Sequence, residues 1–241
     1  MAHAFIHKLR ANKYLKVLMD LGLVAVVYFI GQLAVTLVIR ANDIRSVEEL
    51  YSRPAALVTA YVLGGLVTLG AVLAVLRVRK MTLGDVALKK PELKDIGYGF
   101  LGFGAYFLIV RILLVVLGAL IPALNLNQAQ DIGLKNVTSG MLPAAFIALA
   151  VLPPLSEELL FRGFLYTRLR GYKIGLVTSA LIVSVLFGAM HGQWNISIDT
   201  FVLSMTMIYT MQQRRSLWVS ITMHVLKNTL AFLALFIFKI V

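Results

Sequence analysis

The chain alternates long apolar runs with short polar ones, and the apolar runs set the expected architecture. Seven stretches of roughly 17–25 residues, the length a bilayer core requires, run near 17–39, 55–76, 97–121, 141–161, 174–190, 197–212 and 217–239. The pattern predicts an all-α fold: a polytopic transmembrane helical bundle of about seven spans. It forms one integral-membrane domain over 1–241, with a motif-bearing core over about 141–241. No soluble domain, low-complexity segment or convincing internal repeat interrupts it. The apolar stretch that follows the N-terminal tail is too long for a signal-peptide core and reads as a retained first span.

Composition agrees with the pattern. The 241 residues are 60% hydrophobic and 14% charged, more apolar surface than a soluble domain of this size can hide. The net charge of +12 raises nucleic acid as a partner, but the basic residues lie in short loops between spans. That is the positive-inside distribution, and anionic lipid head groups are the expected partner. Lys8, Arg10, Lys13 and Lys16 mark the N-terminal tail, and Arg77, Arg79, Lys80, Lys89, Lys90 and Lys94 the 77–96 loop. Arg168, Arg170 and Lys173 mark the 163–173 connection, and Arg214 and Arg215 the next turn on that side. The 122–140 loop carries only Lys135 and the 192–196 turn no basic residue, while the 40–54 loop is mixed. Seven crossings then put the N-terminus in the cytoplasm. The absence of cysteine excludes disulfides, thiolate metal sites and cysteine nucleophiles.

The chemistry concentrates where charge meets hydrocarbon. In Pro153-Pro154-Leu155-Ser156-Glu157-Glu158-Leu159-Leu160-Phe161-Arg162, two carboxylates and a guanidinium fall inside a predicted span, where ionisable groups are costly and mark function or a structural ion pair. The prolines are expected to interrupt the incoming helix, with Ser156 as N-cap of a new one. Glu158 and Arg162, four residues apart, share a helical face and can pair. Glu157 is turned about 100° away and is left free for chemistry. His191 ends the fifth span, after Phe187, and His224 and Asn228 lie four apart on one face of the seventh. At about 1.5 Å per residue, Glu157 lies about 16 Å from Arg168, with His224 and Asn228 about 14 and 20 Å beyond Arg215. His191, about 27 Å beyond Lys173, fits a shared depth least well.

A carboxylate and an imidazole can polarise water as a general base, and a second imidazole with a carboxamide can hold an oxyanion. Glu157, His191 and His224 are also a possible His₂Glu zinc set, and the residues leave both readings open. Asn228 is a poor zinc ligand, one turn beyond His224, and no acids are evident to orient metal-bound imidazoles. No essential cofactor is therefore the favoured expectation, with zinc the alternative.

The ordered set Glu157-Glu158-x-x-x-Arg162, Phe187-x-x-x-His191 and His224-x-x-x-Asn228 resembles the CPBP family of intramembrane proteases. That family covers type II CAAX prenyl endopeptidases and bacterial bacteriocin-processing or immunity proteins (the Abi group). The motifs lie within 153–230; the first 140 residues are similar only in being apolar and helical. The resemblance implies an endopeptidase acting on membrane-associated peptides or proteins, with Glu157 and His191 activating water. It implies further that His224 and Asn228 hold the oxyanion and that Glu158 and Arg162 support them. The site is expected within the last four spans, and the short chain points to a prokaryotic cell membrane. Two rivals remain: a binding protein of the same scaffold acting in immunity or regulation, and an ion-coupled transporter, for which no inverted repeat is evident.

Other residues have structural expectations. Gly97-Tyr98-Gly99-Phe100-Leu101-Gly102 matches GxGxxG, but it follows no strand, so close helix packing is the better reading. Arg111, inside the third span, needs a partner. Asp20 is placed at the head-group boundary, His3 and His7 in the solvated tail. Met205, Met207 and Met211 are read as packing, and Trp194 and Trp218 as interfacial anchors. Asn136 and Asn195 begin glycosylation sequons on the predicted outer side.

Overall fold

The computed structural model describes residues 12–126, 128, 134 and 136–239. His3, His7, Lys8, Arg10 and Lys135 lie outside the described residues. Eight helices form, and no strand occurs among the described residues. They are α1 (Lys13–Ala41), the short α2 (Val47–Ser52), α3 (Pro54–Val78), α4 (Leu93–Leu120), α5 (Ser139–Gly171), α6 (Leu176–Ala189), α7 (Trp194–Arg214) and α8 (Leu217–Phe238). Each of the seven apolar stretches coincides with a helix. Five of these, α1, α3, α4, α5 and α8, are long and apolar enough to cross a membrane, which makes the chain an integral membrane protein. Helix α6 has only 14 residues, and α7 carries Asp199 within its 21 residues.

Small residues let the helices approach. A Cβ on Gly31 of α1 would lie 2.2 Å from Thr68 Oγ1 of α3, and one on Gly64 would lie 2.5 Å from Val35 Cγ2. On α4, a Cβ on Gly99 would meet Thr222 at 2.6 Å and one on Gly102 would meet Met223 Sδ at 2.8 Å, both on α8. The GxGxxG stretch is thus a packing surface. The main core gathers Val24 and Val27, Val72 and Leu76, the 159–169 segment of α5, Val183 and Phe187, and Ile208, Leu217 and Ile221. Met207 and Met211 are buried, as packing residues should be.

Polar contacts sort the connections onto two faces. On one, Asp20 of α1 is fully buried and receives Arg79 at 2.7 Å and Arg168 at 2.9 Å, with the Tyr172 hydroxyl donating at 2.7 Å. Burial, followed by that hydrogen bond, pushes the Tyr172 hydroxyl up to about 12. The same face holds Arg214 against Asp95 and Glu92, and Trp218 Nε1 donating to the Lys89 carbonyl. On the other face Asn136 donates to the Tyr51 carbonyl, and Gln193 and Asn195 donate to that of Gln128. Asp20 is therefore the buried anchor of its face. Arg111 lies over the Phe107 ring, 5.0 Å from its centroid, a cation–π contact.

The largest departure from expectation is in α5. Pro153 and Pro154 do not end the helix, which continues through them to Gly171. The backbone widens into π turns over Ile147–Val151 and Leu159–Tyr166, and the Val151 φ stretches to −118° at the junction. The first π segment and the Val151 adjustment lie in the turn before the prolines, where they relieve the clash with the proline rings. Ser156 is accordingly not an N-cap; its hydroxyl donates back to the carbonyls of Leu152 and Pro153 at 3.0 and 3.1 Å.

Candidate active site

The two adjacent glutamates of α5 part company as their helical angles require. Glu158 and Arg162 have side chains at 0% exposure and join through Arg162 Nη1 at 2.9 Å from Glu158 Oε1. The same oxygen accepts from His224 Nδ1 at 2.9 Å. One buried carboxylate thus faces a guanidinium on its own helix and an imidazole on α8, the compensation that a charge needs at this depth. Glu157 keeps 31% of its side chain exposed, with Oε2 3.9 Å from His224 Nε2. That gap is too long for a direct hydrogen bond and wide enough for a bridging oxygen.

Phe187 of α6 is the hub. Its ring centroid lies 5.1 Å from Phe161, 5.1 Å from His191 and 5.7 Å from His224, all edge-on. The Arg162 guanidinium sits 4.2 Å from the same centroid. The phenylalanine of the Phe187-x-x-x-His191 motif therefore touches the other two motifs, through Arg162 and His224. His191 lies in the turn just past α6, with Nδ1 2.8 Å from the Phe187 carbonyl. A carbonyl can only accept, so Nδ1 carries the proton and Nε2 of neutral His191 keeps its lone pair. Despite the long depth counted along the sequence, His191 lines the same cavity as Glu157.

Glu157 and His191 line one cavity of about 420 Å³; His224 and Asn228 do not line it. The opposite wall is made by α1 and α3, through Tyr28, Gln32, Tyr61 and Thr68. This corrects the expectation of a site enclosed by the last four spans. Gln32, a lone carboxamide within the first span, was the signal available in the sequence. Asn228 sits one turn past His224 and donates Nδ2 to the Leu149 carbonyl at 2.9 Å.

A second charged group went unread in the sequence. Asp199 of α7 pairs with Lys227 of α8 and accepts from the Tyr106 hydroxyl of α4 at 2.6 Å. Both charges fall within apolar stretches, which is the signal that could have found them.

The donors do not fit a His₂Glu zinc centre as placed. Among the described residues, no three His, Asp or Glu side chains converge closely enough to hold a metal ion. The Nδ1 contacts of the two imidazoles, to the Phe187 carbonyl and to Glu158, are of the kind that also orients metal-bound histidines, so Glu158 is an orienting acid that the sequence did not make evident.

Fold and geometry together define a helical membrane protein in which Glu157 and His191 line a cavity and Glu158 and His224 pair behind it. Residues 139–230 match the family model described as Type II CAAX prenyl endopeptidase Rce1-like, in agreement with the family that the motifs resemble. The matched segment runs from the start of α5 past Asn228, so it includes Glu157, Glu158, Arg162, Phe187, His191, His224 and Asn228. No curated protein and no solved structure gives a significant match.

Proposed function

We propose that the protein is an intramembrane endopeptidase that hydrolyses membrane-associated peptides or proteins through an activated water. The observation that carries this reading is the division between the glutamates: Glu158 is buried and compensated, while Glu157 opens onto the cavity beside His191. Glu157 and His191 Nε2 take the proton as water attacks the scissile carbonyl. The negative charge that develops on the carbonyl oxygen is met by His224, whose Nε2 faces Glu157. That donation requires the imidazolium form, for which Glu158 is the counter-ion. The second N–H of Asn228, beyond the one used by Leu149, is a further donor. Collapse of the tetrahedral intermediate breaks the C–N bond, and the proton held by Glu157 and His191 passes to the leaving amine. No step is routed through a metal, and none forms a covalent acyl-enzyme.

The natural setting we infer is a prokaryotic cell membrane, with the N-terminus on the cytoplasmic side. Purified protein in detergent or proteoliposomes, assayed against a peptide library, tests the activity. Glu157→Ala should lower turnover by at least about 10²–10⁴-fold, the usual worth of a positioned general base. Exhaustive chelation should leave turnover intact, and elemental analysis should find no stoichiometric zinc. Zinc whose removal abolishes cleavage and whose return restores it would replace this mechanism with a metal-centred one. An absence of turnover, with biological activity retained in Glu157→Ala, would favour a binding protein of the same scaffold.

A further inference from the structure

The Leu149 carbonyl has no partner within its own helix, and the reason is the Pro153-Pro154 pair. In an α-helix this carbonyl would accept from the N–H of residue 153, and in a π turn from that of residue 154. Both are proline and have no N–H. The next candidate, the N–H of Leu152, is already given to the Ile147 carbonyl. A carbonyl stranded in a span needs a partner from outside the helix. It is met from outside the helix by Asn228 Nδ2 of α8, at 2.9 Å. Four residues earlier on α8, His224 Nδ1 holds Glu158 Oε1 at 2.9 Å. Glu157 lies between these two attachment points along α5.

We infer that Asn228 is a positioning residue: its carboxamide supplies the hydrogen bond that the two prolines remove, and so fixes the bent segment of α5 that carries Glu157. This rests on the hydrolytic reading for its consequence in catalysis, but its structural half stands without it. Asn228 is then matched to the proline pair rather than to the reacting carbonyl alone. The two ties from α8, at Leu149 and Glu158, hold Glu157 in register with the cavity and with His224 Nε2.

A double-mutant cycle separates this from a purely oxyanion-binding role. Pro153→Ala returns a backbone N–H to the Leu149 carbonyl, so the loss of Asn228 should matter less in that background. Asn228→Ala alone should lower kcat on the order of 10–100-fold, as misplacement of a reacting group does, and lower the midpoint of thermal unfolding in detergent. Added to Pro153→Ala, it should lower kcat by a factor at least about threefold smaller than it does alone, the remaining loss being that of the oxyanion donor, and barely move the midpoint. Asn228→Gln, a gentler change, is measured in both backgrounds as a second probe. Equal losses from Asn228→Ala in both backgrounds would overturn the inference, leaving oxyanion binding as its role. Coupling seen in the unfolding midpoint but not in kcat would overturn the positioning of Glu157. If Asn228→Ala cannot be recovered folded, recovery of the double variant supports the inference and loss of both refutes it. The thermal arm needs no turnover, so failure of the protease assignment and failure of this inference remain distinguishable.

Discussion

At the scale of single residues, the site depends on which charges are compensated. Glu158 holds two charged or ionisable partners on one oxygen, so removal of Arg162 leaves a fully buried carboxylate with His224 and the Ser220 hydroxyl but no permanent counter-charge. Breaking a buried pair by deleting one partner costs about 3–5 kcal/mol, and Arg162→Ala also strips the guanidinium from the Phe187 ring. Arg162→Ala should therefore lower the unfolding midpoint in detergent or the yield of folded protein, whereas Glu157→Gln should abolish turnover with the midpoint nearly unchanged. Equal destabilisation by both would show that the glutamates do not divide in this way. This division was legible in the sequence, because i,i+4 spacing on a helix is a statement about space. The tie of Asn228 was not legible: it depends on which carbonyl on another helix lacks a donor. Asp199 and Lys227 could have been noticed as charges, but not as partners across two helices.

At the scale of elements, α5 shows why the proline pair misled. Proline disfavours a continuing helix in water, yet an interruption within the membrane must leave backbone groups satisfied. Widened turns, the back-bonding Ser156 hydroxyl and the Asn228 carboxamide meet that demand, and the helix runs on. A comparable tie secures the other end. Asp20 brings the N-terminal part of α1 to Arg79, just past α3, and to Arg168 near the end of α5, using both carboxylate oxygens. The arginine side chains keep 21% and 26% exposure, so they lose less to desolvation than fully buried partners would. Asp20→Asn should preserve shape and lower stability by about 1–3 kcal/mol. Because α1 and α3 form the far wall of the cavity, the same change should raise KM more than it lowers kcat. An unchanged KM would mean that this anchor does not reach the cavity wall. Neither the anchor nor that wall could be read from the motifs, which all lie in the matched segment and leave α1 and α3 without a signature beyond Gln32.

At the scale of the whole molecule, the question is which face meets the cytoplasm. The fold gathers the basic connections, with Arg79, Lys89, Arg168 and Arg214, on the face anchored by Asp20 and Asp95. On the opposite face the mixed 40–54 loop offsets part of its charge locally, through the 2.7 Å Arg53–Glu49 pair. An excess of Lys and Arg near span ends is retained on the cytoplasmic side, where anionic lipid also favours it, so the Asp20 face should be cytoplasmic. Glu157 lies eleven residues before Arg168 along α5, about 16 Å by helical rise, which puts the reacting centre deep in the bilayer on either orientation. The sequence contains no cysteine, so a single introduced thiol reports cleanly. In intact cells, a membrane-impermeant maleimide should label Glu48→Cys, in the exposed loop helix α2, and should not label Lys90→Cys until the membrane is opened. Labelling of Lys90→Cys alone in intact cells would invert the molecule. Labelling of both would show that the two loops share a face, which the sorting of polar contacts does not allow.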